Sequence, residues 1–136
     1  ILAGEPVRVF NNGRHRRDFT YVDDVVEAVL RVAEAVPRPD PAWDGLHPDP
    51  QSSPAAFRIF NIGNNKRVEL MAYIRAIEAA LGIQAKLDLL PMQPGDVEAT
   101  EADTSALQKA TGFSPNTPVE EGVRRFVEWY REYYRV

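Results

Sequence analysis

The sequence predicts an α/β fold in which short strands alternate with amphipathic helices. Stretches rich in β-branched and aromatic residues, typical of strands, stand at residues 7–10 and 57–62, and apolar and polar residues alternate at 85–89 as they do in a strand. Apolar residues at helical spacing follow from Asp24, from Leu70 and near the end of the chain. With 136 residues, the chain corresponds to one domain or to part of one.

A basic run, residues 14–17, lies between the first strand and the first helix. The strand is followed by Asn11-Asn12-Gly13, which is typical of a turn, and residues 18–22 are expected to be extended. Arg17 would therefore stand at the end of a loop held between regular elements. A guanidinium in such a place can bind an anion, because its planar fork of donors matches phosphate oxygens two at a time.

The first helix is predicted to begin at Asp24, which forms a capping box with Glu27, and to end before Pro37. Valine dominates its apolar face, and β-branched residues lower the stability of an isolated helix. The helix is therefore expected to be held by packing against a sheet.

Residues 37–56 differ in composition from the rest of the chain, since they contain six of its eleven prolines. Such a segment neither pairs nor coils, so we expect a surface loop or insertion there, anchored in its middle by Trp43 and Leu46. A linker between two domains is the alternative.

Two further strands are predicted in the second half. Residues 57–62 carry apolar side chains on both faces, which is typical of a strand covered on both sides. Residues 85–89 alternate as another strand, and residues 97–102 are expected to be extended.

Three helices complete the prediction. The helix from Leu70 should stop at Gly82, and a short helix capped by Asp103 should stop at Gly112. The last begins at Thr117-Pro118-Val119-Glu120, which combines a capping box with proline at the first position.

Composition excludes several classes of function. A net charge of −4 argues against general affinity for nucleic acid or anionic membranes. The chain has no cysteine, which excludes disulfides and thiolate catalysis, and two histidines, His15 and His47, are too few for a His-rich metal site. No apolar run approaches the roughly 18 residues of a membrane span.

The machinery for hydride transfer is also missing from these residues. A dinucleotide loop needs glycines two or three positions apart, and no two of the eight glycines are that close. No tyrosine has a lysine four residues later. We therefore expect no catalytic residue, no cofactor-binding residue and no metal ligand in this chain.

Two loops have the character of a binding site, although each also has a plainer interpretation. Arg17 could pair with Asp18 or with a later carboxylate instead of a ligand. In Gln93-Pro94-Gly95-Asp96 the Pro-Gly pair predicts a type II turn. Asp96 could accept hydrogen bonds from two neighbouring hydroxyls, as on a ribose, or could bond its own backbone.

Several segments, in this order, resemble the C-terminal part of the extended short-chain dehydrogenase/reductase family, and most closely its UDP-glucuronate 4-epimerases. They are residues 7–11, 16–24, 60–64, 90–97 and 102–103. Two positions depart from the family pattern: Gln93 stands where many relatives have arginine, and Glu101 stands where an aromatic residue is expected.

The resemblance implies the substrate-binding part of an NAD-dependent nucleotide-sugar 4-epimerase. In such enzymes C4 of the sugar is oxidised by NAD and then reduced from the other face. Residues 1–62 would supply a substrate loop and an edge helix and strand of the Rossmann domain, with an insertion at 37–56. Residues 63–136 would form the nucleotide-sugar-binding subdomain.

The resemblance also implies a role for each binding residue. Arg17 would bind the UDP pyrophosphate, the segment Val9-Phe10-Asn11 would meet uracil, partly through its backbone, and Gln93 and Asp96 would face the ribose or a phosphate. The implied partners are a UDP-sugar, an N-terminal Rossmann domain that carries the NAD, and a second copy in a homodimer.

We expect the whole enzyme to bind no nucleic acid, to have no membrane span and to be located in the cytoplasm. A dehydratase or decarboxylase of the same family, or a non-enzymatic module that binds nucleotide-sugars or anions, remains an alternative.

Overall fold

The computed structural model describes residues 1 to 136 and contains four α-helices and four short strands. The helices are α1 (Val22–Glu34), α2 (Leu70–Leu81), α3 (Ser105–Thr111) and α4 (Val119–Tyr134). The strands are β1 (Val7–Val9), β2 (Arg16–Asp18), β3 (Arg67–Glu69) and β4 (Leu87–Leu89). The predicted mixture of helices and short strands is confirmed.

The strands form two separate pairs. β1 runs parallel to β4, with Val7 opposite Leu87. β2 runs antiparallel to β3, with Arg17 opposite Val68. The other edge of β2 takes up residues 98–100, because the Arg16 N–H donates to Glu98 O (2.9 Å) and the Thr100 N–H donates to Arg16 O (3.2 Å). β2 thus connects two segments that lie far along the chain.

The helices also pack in pairs, α2 against α4 and α1 against α3. Ile74 of α2 and Val123 and Val127 of α4 are buried in the first pair. Gly122 of α4 lies so close to Tyr21 that a Cβ there would stand 2.9 Å from its ring. The α4 helix is therefore seated against the start of α1 as well as against α2.

Asp18, the last residue of β2, holds two loops to the strand. Its Oδ1 accepts the Asn64 N–H at 2.9 Å, and its Oδ2 accepts the N–H groups of Asn65 (3.0 Å) and Ala102 (3.1 Å). Gly63 leaves room for this arrangement, since a Cβ there would lie 2.8 Å from Asp18 Oδ2. One carboxylate thus joins three separate parts of the chain.

Two expectations for the first helix are wrong. α1 begins at Val22, and Asp24 does not cap it; its Oδ2 instead accepts the N–H of Thr117, just before α4, at 2.9 Å. The valine face is not packed on a sheet, because the element that α1 chiefly contacts is α3. Val26 and Val29 are about half exposed.

The predicted strand at residues 57–62 is also wrong. Arg58 makes an isolated bridge to Ser52, and no neighbouring strand supplies a ladder of hydrogen bonds. Residues 97–102 contribute one isolated bridge, between Ala99 and Arg16. β3 was not predicted, because its polar three-residue sequence has no apolar pattern.

The proline-rich segment, residues 37–56, is a loop, as predicted, and it is closed by its own hydrogen bonds. Ser52 Oγ donates to Asp40 Oδ2 (3.0 Å), and Trp43 Nε1 donates to Asp49 O (3.2 Å). Leu46 is not an anchor, since it is 86% exposed.

The ends of the later helices follow the glycines. Gly82 and Gly112 adopt the left-handed conformation after α2 and α3, as predicted (φ of 69° and 70°). Thr104 is the N-cap of α3 and Pro118 that of α4, neither with a side-chain cap, but Asp103 Oδ1 accepts the N–H of Ser105, the first residue of α3, at 2.9 Å, so the predicted contact of Asp103 with the helix start is made. Hydrogen bonds from the side chain and backbone of Ser105 lower the pKa of Asp103.

No helix in the structure combines the length and the apolar composition that a membrane span requires.

Replacing Asp18 by asparagine should reduce stability, because the amide offers one acceptor oxygen to three N–H groups and turns a donor towards them. We expect Asp18→Asn to lower the free energy of unfolding by about 2–3 kcal/mol, measured by urea titration. Asp88→Asn is the matched control, since Asp88 is exposed on β4, and it should change stability by less than about 0.5 kcal/mol. Equal losses in the two variants would contradict this role for Asp18.

Candidate functional site

Arg17 and Asp96, which are 79 residues apart in sequence, meet beside β2. Arg17 Nη2 donates to Asp96 Oδ1 at 3.1 Å, and Nη1 donates to the carbonyl oxygens of Arg16 (3.0 Å) and Glu98 (3.1 Å). Pairing of Arg17 with a later carboxylate is therefore what the structure shows, and pairing with Asp18 is not. Nε and one Nη2 hydrogen remain free for a further acceptor on a side chain that is 27% exposed.

The turn that carries Asp96 has the predicted geometry. The Asp96 N–H donates to Gln93 O (3.3 Å), and Gly95 has the positive φ of 82° that the third position of a type II turn requires. Asp96 Oδ1 also accepts the N–H of Val97 at 2.7 Å, so the carboxylate does bond its own backbone. Gln93 is exposed, and its side chain makes no hydrogen bond within the chain.

His15 was not predicted to be part of the site. From the sequence it is considered only as a possible metal ligand. His15 is 4% exposed, and its Nε2 lies 3.3 Å from Asp96 Oδ2. The two atoms are not aligned for a hydrogen bond, so Nε2 is a buried polar atom without a partner. A histidine within a basic run, where the other residues are arginines, is the sequence signal that could have drawn attention to it.

The end of β1 lies against the chain that leads into this turn. The Leu90 N–H donates to Val9 O, and the Asn12 N–H donates to Leu90 O, both at 2.9 Å. Val9 is buried, whereas Phe10 and Asn11 are partly exposed. Asn11 adopts a left-handed conformation (φ of 52°), which turns the chain sharply after the strand. The six predicted binding residues thus come from two adjacent segments of the chain, residues 9–17 and residues 93–96.

Glu101, which departs from the family pattern, pairs with Arg67 of β3, with Arg67 Nε 2.6 Å from Oε2. The pair joins β3 to the chain that follows the Asp96 turn. An acidic residue at this position therefore has a structural partner in this protein.

An apolar cavity of about 230 Å³ opens near the start of α1, bordered by Phe19, Tyr21 and Tyr73 and by the first turns of α4. The rings of Phe19 and Tyr73 stack with their centroids 4.0 Å apart. The lining is mainly apolar and aromatic, and Thr20 and Thr117 add hydroxyl groups to it.

The chemistry of the site is that of binding. A guanidinium with free donors can take an anion, and the carboxylate beside it can accept hydroxyl donors. No nucleophile stands within hydrogen-bond distance of a base there.

Comparison with known proteins agrees with these features. Residues 1–63 match the NAD dependent epimerase/dehydratase family. The chain is related to this family. Over 141 aligned residues it is 44% identical to a probable UDP-glucuronate 4-epimerase of Rhizobium meliloti (strain 1021), and over 135 residues it is 44% identical to protein CapI of Staphylococcus aureus. Each alignment covers 99% of the chain and 40% of the relative.

The fold is that of the same family. The structure of MoeE5 in complex with UDP-glucuronic acid and NAD is 29% identical in sequence and superposes with a TM-score of 0.74, over 97% of this chain and 38% of MoeE5. The mixed α/β arrangement therefore matches part of the extended short-chain dehydrogenase/reductase fold. The chain spans about two fifths of the length of the curated relatives it matches.

The geometry of the Asp96 turn depends on Gly95, where an added side chain meets nothing within 4 Å but the positive φ is strained for other residues. We expect Gly95→Ala to lower the free energy of unfolding by about 1 kcal/mol in urea titration. Gly45→Ala is the control, because Gly45 lies in the 37–56 loop, lacks a positive φ, and a Cβ there would make ordinary contacts with Trp43. An unchanged stability for Gly95→Ala would mean that the turn is not strained.

Proposed function

We propose that this chain is the UDP-binding, C-terminal part of an NAD-dependent nucleotide-sugar 4-epimerase that interconverts UDP-glucuronate and UDP-galacturonate. The observation that carries the proposal is the meeting of Arg17 and Asp96, a partly exposed cation and a carboxylate brought together by β2 and a fixed turn. The relatives named UDP-glucuronate 4-epimerase support the choice of sugar.

Arg17 takes the pyrophosphate of UDP in this proposal. Two protein carbonyls hold Nη1 and fix the plane of the guanidinium, so that Nε and Nη2 face a ligand without much loss of side-chain freedom. The pair with Asp96 is partly exposed and of modest strength. A pyrophosphate with two negative charges can therefore displace or share it.

Asp96 and its neighbours take the nucleoside. The carboxylate of Asp96 accepts the two ribose hydroxyls, and Gln93, exposed in the same turn, reaches the ribose or a phosphate. Phe10 and Asn11 meet the uracil at the end of β1, where the buried Val9 fixes their position. These contacts bind and orient the substrate, and they leave the sugar free to turn.

NAD, which accepts and returns the hydride at C4, has no site within these residues, since the glycine spacing of a dinucleotide loop is absent. We assign NAD to a Rossmann domain that precedes this chain. In the whole enzyme, residues 1–62 supply the substrate loop and the edge of that domain, and residues 63–136 form the nucleotide-sugar subdomain. We place the enzyme in the cytoplasm as a homodimer.

The exposed surface supports a missing domain. A compact monomer of 15.3 kDa has an accessible surface of about 7,100 Å², whereas this chain exposes 9423 Å². The excess of about 2,300 Å² is larger than the roughly 800 Å² that a typical interface removes from one partner. The exposed valines of α1 and the unpaired segment at 57–62 are part of this surface.

Arg17→Ala should raise KM for UDP-glucuronate far more than it lowers kcat in the full-length enzyme. The pyrophosphate keeps its charge while C4 reacts, so Arg17 stabilises bound substrate and transition state about equally. A charge-assisted contact of about 1.5–3 kcal/mol corresponds to roughly a tenfold to hundredfold effect. Steady-state kinetics measures it.

Arg17→Lys should recover part of the loss, because lysine keeps the charge but not the planar fork. Arg14→Ala is the matched control, since Arg14 is an exposed arginine of the same basic run, and it should leave KM unchanged. If Arg17→Ala leaves KM unchanged, Arg17 forms an ion pair only.

The isolated chain of residues 1–136 should associate into a dimer, because contiguous apolar surface left uncovered promotes association. Light scattering at increasing concentration measures it. Replacing Val26 and Val29 by lysine should shift the chain to a monomer, whereas lysines at Ala55 and Ala56, exposed in the proline-rich loop, should not. A monodisperse wild-type monomer at high concentration would overturn the expectation.

A further inference from the structure

We propose that His15 is a positioning residue of the nucleotide site: it holds the Asp96 carboxylate in place when the pyrophosphate displaces Asp96 from Arg17 Nη2. The inference rests on the proposed function, because it assumes that a nucleoside diphosphate draws Arg17 and Asp96 to different parts of one ligand.

His15 is buried, and its backbone is held by the start of α2. The residue is 4% exposed, and its carbonyl oxygen accepts the N–H of Leu70 at 2.9 Å, which ties it to the start of α2. Nε2 is the buried polar side-chain atom of this chain that lacks a hydrogen-bond partner. A buried polar group without a partner costs free energy. A state of the molecule in which Nε2 gains a hydrogen-bond partner is therefore favoured by that contact.

The acceptor available to His15 Nε2 is Asp96 Oδ2, at a distance of 3.3 Å. In the present arrangement Oδ1 takes both Arg17 Nη2 and the N–H of Val97, which sets the carboxylate plane and leaves Oδ2 out of line with the imidazole. A small rotation of the carboxylate, with the imidazole hydrogen on Nε2, would complete the hydrogen bond.

Ligand binding supplies the reason for that rotation. When the pyrophosphate takes the Arg17 donors, Asp96 keeps only the N–H of its neighbour Val97, which lies in the same loop. His15 is then the donor that ties Asp96 to the strand side of the site. The carboxylate is held with its remaining lone pairs towards the ribose hydroxyls.

The test compares His15→Leu, His15→Gln and the control His47→Leu in the full-length protein, with UDP as the probe. His15→Leu, similar in volume but without a donor, should weaken the Kd for UDP about threefold to tenfold and raise KM by a similar factor, with kcat within about twofold. His15→Gln, which restores an N–H donor, should recover most of the affinity. His47 is exposed in the proline-rich loop, and its replacement should change nothing.

A second measurement uses the unaltered protein and so does not depend on how the variants fold. In spectra of nitrogen-15-labelled histidine, saturation with UDP should shift the ring nitrogens of His15 and leave those of His47 in place. Unshifted His15 nitrogens, or equal affinity in His15→Leu and wild type, would overturn the proposal.

The two proposals fail in different ways. If wild type and Arg17→Ala differ in UDP affinity while His15→Leu matches wild type, the role of His15 alone is wrong. If wild type does not bind UDP, the nucleotide site itself is wrong, and the role of His15 falls with it.

Discussion

The carboxylate of Asp18 is the contact on which the rest of the structure depends. Three backbone N–H groups, from Asn64, Asn65 and Ala102, converge on its two oxygens. Hydrogen bonds to a charged acceptor are stronger than those between neutral groups, and here they replace the long sheet that this chain does not form. They reinforce the backbone pairing of β2 with β3 on one edge and with residues 98–100 on the other.

The binding residues inherit their positions from that arrangement. Successive side chains of a strand point to opposite faces, so Arg17 and Asp18 serve different sides of β2. Asp18 fixes Ala102, and Arg16 pairs with residues 98–100, which brings Asp96 within reach of Arg17. Structure and binding are thus divided between two adjacent residues of one short strand.

The sequence predicts those elements whose structure is decided by neighbouring residues, and it does not predict those that depend on contacts between distant parts of the chain. The ends of α2 and α3 follow from single glycines, and the type II turn follows from Pro94-Gly95. The strand at 57–62 was predicted wrongly because a strand needs a neighbour, and none is present in the chain. The pairing of Arg17 with Asp96 is open from the residues alone, because β2, whose pairing with residues 98–100 brings the two side chains together, is too short and polar to recognise.

The contacts of Asp24 and His15 also depend on residues that are distant in the sequence. Asp24 was interpreted as a cap of its own helix, yet its carboxylate serves Thr117, 93 residues away. His15 gave no pattern, because what makes it notable is burial beside a carboxylate from another loop. The resemblance to the epimerases supplied the candidate binding residues that local chemistry left undecided, but it did not point to Asp18 or His15.

The self-contained bonding of the proline-rich loop has a practical consequence. Because Ser52 bonds Asp40 and Trp43 bonds Asp49 within the loop, its tip near Leu46 makes no hydrogen bond to any helix or strand. Added residues there would lengthen a loop that is already closed at its base, and the entropy of closure grows only slowly with length. The tip is therefore a natural attachment point for a fluorescent label or an affinity tag, because it can be extended without breaking a hydrogen bond to a helix or strand.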